Sequence, residues 1–486
     1  MAEDAKPEQR NPQPTGDRLF LVSMVLLWLF AIANLACHFS YRPTGTGQPY
    51  LVGFDQNGYF AYAHSLLFDQ DLQFKNEYNF LEKTQPEDTA SVFRERLNEN
   101  ATDPLNPFNI GTGLATLPVL AIARGGFAAL AAAEVIHPVS RFASIYPFIF
   151  SSVNVTFGVL ALACCYAFLR RWFTAGTAAL GCWAVLLCGP MLYYLLAEPA
   201  MSHLTGAFFG SAALLCWSRW DSATYHPRKC WFALLTGFCA AYAAVVRPYD
   251  APVALVLLQP IVSSLSHKSG LRAALAPFLC GVLGAVVGAL PQLVAWKIQF
   301  GYWIANTTDH SLTWYSPHAL NVLFSRRHGL FFWSPALLLA LGGLVMSVRH
   351  MRFPAAWLLA IFVGVAYMAG TWWYYWIGVS FGMRSYVDHP LPFAFGFAAL
   401  AAWLVQRLGR PGLNIAWECV VLFALINLHL IICFRGGIVT VDGPLHWLDT
   451  VSKGRRYKAQ LAREAKYWTD FDPMHRANIM RAPTAR

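Results

Sequence analysis

The groups best placed to do chemistry in this chain are one carboxylate and four guanidiniums. Asp55 opens the stretch "FDQNGYFAYAHSLLFDQDL", Arg247 stands in "VRPYDAP", Arg326 and Arg327 in "SRRHG", and Arg384 in "GVSFGMRSYVDH". A positioned carboxylate takes a proton from a hydroxyl, and arginines neutralise an anion such as a lipid phosphate through paired N–H donors. Each group also has a structural reading. Asp55 suits the N-terminus of a helix running through Tyr59, Tyr62 and Leu66, and the arginines can snorkel to headgroups. Tyr59 and Tyr62, three apart, suit interfacial anchoring or substrate contact. Glu198 and His203 in "AEPAMSH", with Asp250, His310, His318, His328 and Asp388, complete the unusual polar set. Asp69 and Asp71 form a D-x-D-like pair that either holds a divalent metal through carboxylate oxygens or sits in a solvated turn.

What must hold these groups at one depth is a bilayer. Of 486 residues, 56% are hydrophobic and 13% charged, which excludes a soluble domain of this length. The net charge of +10 reads as a topology signal, not as nucleic-acid binding. The 11 cysteines lie in or at the ends of apolar runs with no CxxC, so neither a zinc site nor a disulfide framework is expected. Residues 1–18 read as a polar cytoplasmic N-terminus without a cleaved signal, and residues 19–434 as the transmembrane domain. Residues 41–109 form a long acidic outer loop, 299–328 a second outer loop, and 435–486 a polar basic tail. Placing Arg170/Arg171, Arg219 with Arg228/Lys229, His267/Lys268/Arg272, Arg349/Arg352 and Arg407/Arg410 in the cytoplasm, with a cytoplasmic N-terminus, leaves the stretch Ile110 to Pro138 to cross an even number of times. Arg124, Gly125 and Gly126 interrupt it, so a broken or re-entrant hairpin is expected, giving about 11 to 13 transmembrane helices in one all-α polytopic domain. The same count puts the tail outside.

With that topology the polar set collects at the outer ends of five separate connections. Ionisable groups at membrane depth are costly and usually line a functional cavity.

In their order, the segments "FDQNGYFAYAHSLLFDQDL", "NPFNIGTGLATLP", "EPAMSH", "VRP", "LFSRRHGLFFWSPALLLALGGL" and "SFGMRSYVDHPLPFAFGFA" resemble the GT-C class of integral membrane glycosyltransferases. That class includes protein O-mannosyltransferases and the lipid A aminoarabinose transferase, and the likeness runs from about Leu19 to near Trp447. The resemblance implies a bacterial inner-membrane transferase of the cell envelope that uses a polyprenyl-phosphate-linked sugar, with its active site facing the periplasm or exterior. It implies that Asp55 is the catalytic acid or base. Many members carry two adjacent acids there, whereas Gln56 follows Asp55 here, so a second carboxylate would come from Asp69, Asp71, Glu77 or Glu198.

On this reading Asp55, supported by Tyr59 and Tyr62, deprotonates the acceptor. Arg247, Arg326, Arg327 and Arg384 stabilise the departing phosphate, and direct displacement inverts the anomeric carbon. Glu198, His203 and His328 support the site or bind acceptor. Trp303, Trp314 and Tyr315 either stack on sugar or anchor the loop. No cofactor is required with certainty; a divalent metal is compatible. The partners are the lipid-linked donor, a lipid, glycan or protein acceptor, and membrane lipids. Two rivals remain: a lipid-linked polysaccharide polymerase or ligase, and a glycan transporter or flippase. The second would show repeat halves and midplane charges, which the sequence lacks.

Overall fold

The computed structural model describes residues 14–40, 54–84, 105–222, 226–267, 271–305, 307, 312–378, 380–439 and 442–454. Most of the 1–18 segment, much of the 41–109 loop, His310 and the tail beyond 454 therefore lie outside the described residues. Among the described residues the chain is helical, with one isolated bridge between Leu312 and Trp372.

The helices are α1 (Pro14–Ser40), α2 (Phe54–Phe68), α3 (Lys75–Thr84), α4 (Gly111–Ala132), α5 (Ile145–Leu169), α6 (Ala175–Cys188), α7 (Met191–Leu196), α8 (His203–Ser222) and α9 (His226–Val246). A 3-10 segment (Pro248–Leu258) leads into α10 (Gln259–His267). There follow α11 (Leu271–Phe300), α12 (Ala319–Phe324), α13 (Leu330–Trp333), α14 (Ala336–Ser347), α15 (Arg352–Gly370), α16 (Pro390–Leu408) and α17 (Arg410–Arg435). Eight of them (α1, α4, α5, α9, α11, α15, α16 and α17) are long and apolar enough to cross a bilayer.

Antiparallel order follows from contacts at the ends. Arg170, just past α5, donates to Asp17 in the first turn of α1 (Nε to Oδ1, 2.7 Å), so these two ends share a face. That face also carries the other arginines of the short connections and is here called the basic face; the opposite, holding Asp55, is the site face.

The stretch after Ile110 departs from the broken hairpin expected for it. It is one unbroken helix, α4, and it lies along the site face without crossing. Gly111 packs on Val246, at the site-face end of α9, while Phe127 meets Tyr146, at the site-face end of α5 (ring centroids 6.0 Å). Both of its ends are thus pinned to one side, which satisfies the even count with zero crossings. The charge that was expected to break it finds partners outside the helix. Arg124 donates to the Leu67 carbonyl and stacks over Phe68 at 4.6 Å. Gly125 and Gly126 face open space, so they cost only about 1 kcal/mol each in helix propensity.

Setting α4 aside, eleven segments alternate between the two faces among the described residues, as crossings would. Seven are the remaining long helices, α8 is another, and three are pairs of shorter segments: α6 with α7, the 3-10 segment with α10, and α13 with α14. The break between α6 and α7 falls at Gly189–Pro190, where proline cannot donate and leaves carbonyls unpaired. Asn427 of α17 takes them up, its Nδ2 donating to Leu187 O and Gly189 O at 2.9 Å each. Elsewhere helices touch through backbone. A β-carbon on Gly237 of α9 would lie 1.8 Å from the Gly281 carbonyl of α11, the close approach that small residues permit between membrane helices.

Candidate active site

Helix α2 packs on α4, where Gly113 meets Tyr59 and Tyr62, and on the site-face end of α5 through Phe60–Phe150 and Phe68–Tyr146, with every side chain buried from Tyr59 to Ala63. Its position is set by hydrogen bonds from the segment 105–110. Tyr62 donates its hydroxyl to Phe108 O (2.9 Å) and receives Gln299 Nε2 (2.8 Å). Two glutamines of α11, two helical turns apart, hold the same segment: Gln292 Oε1 accepts from Ile110 N (2.9 Å) and Gln299 Oε1 from Asn106 N (3.1 Å). Burial pushes the Tyr62 phenol up, so it stays a neutral donor in this frame.

The ordered segment and α2 form one wall of a cavity of about 490 Å³. Asp55, Tyr59, Arg247 and Arg384 reach it together, and Phe108, Tyr249, Trp296, Trp314, Trp372 and Tyr374 supply aromatic walls. This is the size and make-up of a small-molecule site: mostly apolar, with a few convergent polar groups. Ile377 also lines it and is held at φ +44°, a region that β-branched residues rarely adopt. Such strain concentrates at ligand sites, where surrounding packing over-determines the backbone.

The charged groups are ordered around that cavity. Asp55 lies in the first turn of α2, and its Oδ2 accepts from Arg384 Nη1 at 3.0 Å across 329 residues of sequence. Arg247 follows α9 and is 5% exposed, its Nε 3.1 Å from Asp388 Oδ2. Burial and the nearby Asp55 carboxylate push the Tyr59 phenol above its usual value, so Tyr59 is a neutral neighbour and not a competing base. A carboxylate and two guanidiniums in one aromatic cavity can take a proton from a hydroxyl at one point and hold an anion at another.

The other residues singled out by sequence are placed as follows. Glu198 sits behind the cavity, accepting from the Tyr193 hydroxyl at 2.8 Å; burial holds its carboxyl above the usual range despite that bond and Arg384. His203 is fully buried and bonds Asp388 Oδ1 through Nδ1 at 2.7 Å. His328 is buried against Trp333 (centroids 4.8 Å) and meets Ser380 Oγ at 3.1 Å, away from the cavity lining. Arg326 and Arg327 are exposed and do not line the cavity; Arg327 stacks on Trp376 at 5.0 Å. Trp314 is in the cavity wall, while Trp303 and Tyr315 point outward, 56% and 104% exposed. The segment that follows α17 returns to this face, where Leu445 N donates to Arg326 O at 3.0 Å.

Asp69 and Asp71 do not face one another as a pair. Asp71 Oδ1 accepts from Ser65 Oγ (2.8 Å) and Gln73 N (3.1 Å), which closes the turn after α2. Asp69 instead joins His64 and Glu77, whose ligand atoms all lie within 4.8 Å of one another. Arg141 binds Asp69 and lies 3.9 Å from Glu77, so a guanidinium already supplies positive charge to those carboxylates.

Two features of the site were not anticipated from sequence. One is the aromatic wall from Trp296, Trp372 and Tyr374; the run "TWWYYW" was its only signal. The other is the mutual contact of the buried set around Asp388, which unites residues from three connections.

No protein-family model and no curated protein sequence matches the chain. Solved structures do. The chain is similar to ArnT from Cupriavidus metallidurans bound to undecaprenyl phosphate, with TM-score 0.51 and 14% identity over 87% of this chain and 64% of that one. The apo state of the same protein gives TM-score 0.50 at 14% identity, over 87% and 65%. The chain thus spans slightly under two thirds of the length of the protein it resembles. The likeness shows a GT-C-like fold and accords with a multi-pass membrane protein.

Proposed function

We propose that this GT-C-like chain is a membrane glycosyltransferase that moves a sugar from a polyprenyl-phosphate carrier to an acceptor hydroxyl. One observation carries the reading. Asp55, Arg247 and Arg384 open on one aromatic-walled cavity of about 490 Å³, in a fold similar to that of a protein captured with undecaprenyl phosphate. A polyprenyl donor keeps its chain in the lipid and its phosphate at the interface, and a cavity at the site-face rim of the helices meets it there.

Arg247 and Arg384 bind the donor phosphate and stabilise the negative charge that grows as the glycosidic oxygen departs. Arg384 is hydrogen-bonded to Asp55. A phosphate that draws Arg384 away leaves the Asp55 carboxylate open to the acceptor hydroxyl, so the base is exposed when donor is present. Asp55 takes the hydroxyl proton, the acceptor oxygen attacks the anomeric carbon, and the polyprenyl phosphate leaves with the bonding pair. A single displacement inverts that carbon. Aromatic faces of Trp296, Trp314 and Trp372 hold the sugar ring. Arg326 and Arg327, exposed near the rim, meet the anionic donor or headgroups on approach. Tyr62 frames α2, Glu198 and His203 lie behind the arginines, and His328 packs the neighbouring loop. His64, Asp69 and Glu77 are the residues that would hold a divalent metal.

The basic face matches the cytoplasmic side of a bacterial inner membrane by the charge rule, which puts the cavity on the periplasmic or external side. The test is an in-membrane transfer assay with a panel of polyprenyl-phosphate sugars, comparing wild type with Asp55→Asn. Inverted product from wild type and its loss in the variant are expected. Transfer at the normal rate by correctly inserted Asp55→Asn would remove the assigned base.

A further inference from the structure

Arg247 is not held by the cavity it faces. Behind it lies a closed set of buried groups: Asp388 and His203, both fully buried, with Asp250 and His389 beyond. Asp388 Oδ2 is 3.1 Å from Arg247 Nε, and its Oδ1 is 2.7 Å from His203 Nδ1. His203 Nε2 is 3.3 Å from Arg247 Nη1, which also lies 3.4 Å from Ser202 Oγ.

These contacts settle the histidine's tautomer. A guanidinium has no lone pair to offer, so His203 Nε2 can only accept from Arg247. The ring proton is therefore on Nδ1, where it donates to Asp388. Asp388 stands in ion-pair contact with Arg247 Nε while His203 faces Nη1, so two buried groups flank two different nitrogens of one guanidinium and restrict its orientation, much as a carboxylate orients the ring of a metal-bound histidine.

The rest of the set serves Asp388. A β-carbon on Gly206 would lie 2.7 Å from Asp250 Oδ2 and 3.2 Å from Asp388 Oδ2, so both carboxyls crowd the space that this glycine leaves open. Two carboxyls that close share a proton. Asp388 lies beside Arg247 and His203, and Asp250 lies 3.0 Å from His389 Nε2, so the paired carboxyls are flanked by one guanidinium and two imidazoles.

We propose that Asp388 and His203 are positioning residues that orient Arg247 toward the donor phosphate, with His203 acting as a hydrogen-bond acceptor in its Nδ1–H form. The inference rests on the reading of Arg247 as a phosphate-binding group.

The test measures binding of undecaprenyl phosphate in detergent micelles by quenching of tryptophan fluorescence, to which Trp296, Trp314 and Trp372 in the cavity wall contribute. His203→Leu and Asp388→Asn weaken binding about tenfold or more, since each removes one partner of a buried charge. His203→Gln stays within about threefold of wild type, because its amide again offers an acceptor oxygen to Arg247 and an N–H to Asp388. Thermal midpoints of the purified variants check the fold, and the glutamine rescue separates orientation from packing. Equal weakening by Gln and Leu, or unchanged binding in folded Asp388→Asn, overturns the proposal. Arg247→Ala distinguishes the two levels. Loss of binding there with wild-type affinity in His203→Leu sinks the positioning role alone, whereas unchanged binding in Arg247→Ala removes the phosphate assignment beneath it.

Discussion

Two clusters in this protein use the same three residue types to opposite ends. At the turn between α2 and α3, His64 Nδ1 meets Glu77 Oε1 at 2.7 Å, His64 Nε2 meets Arg141 O at 3.0 Å, and Arg141 binds Asp69. Around α8 and α9, His203 and Asp388 hold Arg247. In the first, arginine, histidine and acid face each other and none lines the large cavity; in the second, the arginine also lines it. Charge composition does not separate a fastening from a binding site. What separates them is whether one member of the cluster is turned toward space that a ligand can fill.

The comparison can be broken most sharply at the base. On the proposed mechanism Asp55→Asn, assayed for sugar transfer in membranes, lowers the rate by about 10²–10⁴-fold with little change in thermal midpoint. At the fastening cluster the expected outcome is reversed. His64→Leu leaves the buried Glu77 with Arg141 at 3.9 Å, costing about 3–5 kcal/mol of stability, while undecaprenyl phosphate affinity of the folded fraction is unchanged. A thermal melt beside a binding titration reads both. Altered affinity at full stability would place His64 with the site after all.

Arg384→Lys tests geometry against charge. Lysine keeps the positive charge but loses the planar fork, and kcat/KM for the donor falls about tenfold; an unchanged value would mean that Arg384 acts only as a diffuse charge.

The smallest effect belongs to Glu198. Burial raises its carboxyl above the ordinary value of 4.5, so the folded state resists ionising it more than the unfolded chain does. Its cost to stability is absent below that ordinary value and grows as pH rises through the raised one. Glu198→Gln keeps an acceptor for Tyr193 and removes the cost, so its thermal midpoint near neutral pH exceeds that of wild type by about 1–2 °C, and the gap closes near pH 4. A gap that widened on acidification would reverse the sign.

Much of this is legible in the sequence. Apolar runs set the helical membrane class, and the charge rule set which ends share a face. That sufficed to place Asp55, Arg247 and Arg384 on one side, and the structure brings them to one cavity. The course of α4 was not legible, because its length and hydropathy match a crossing and only contacts at both ends show that it lies along one face. Nor was the difference between Arg384 and its fellows Arg326 and Arg327. All three sit in connections at the same face, but Arg384 is 12% exposed on its side chain and turned inward, whereas the other two are exposed at the rim. Side-chain direction in an irregular connection has no period to read. The same holds for Asp69 and Asp71, whose spacing fits a metal pair but whose oxygens are turned to different partners.

The amide of Asn427 does inside the membrane what water does outside it. In hydrocarbon there is no solvent to receive the two carbonyls freed at Gly189–Pro190, so the bend between α6 and α7 exists only while α17 stands beside it. Prising α17 away, or trimming Asn427 to leucine, would strand those oxygens. The shape of one crossing is thus written partly in a residue 238 positions further along the chain.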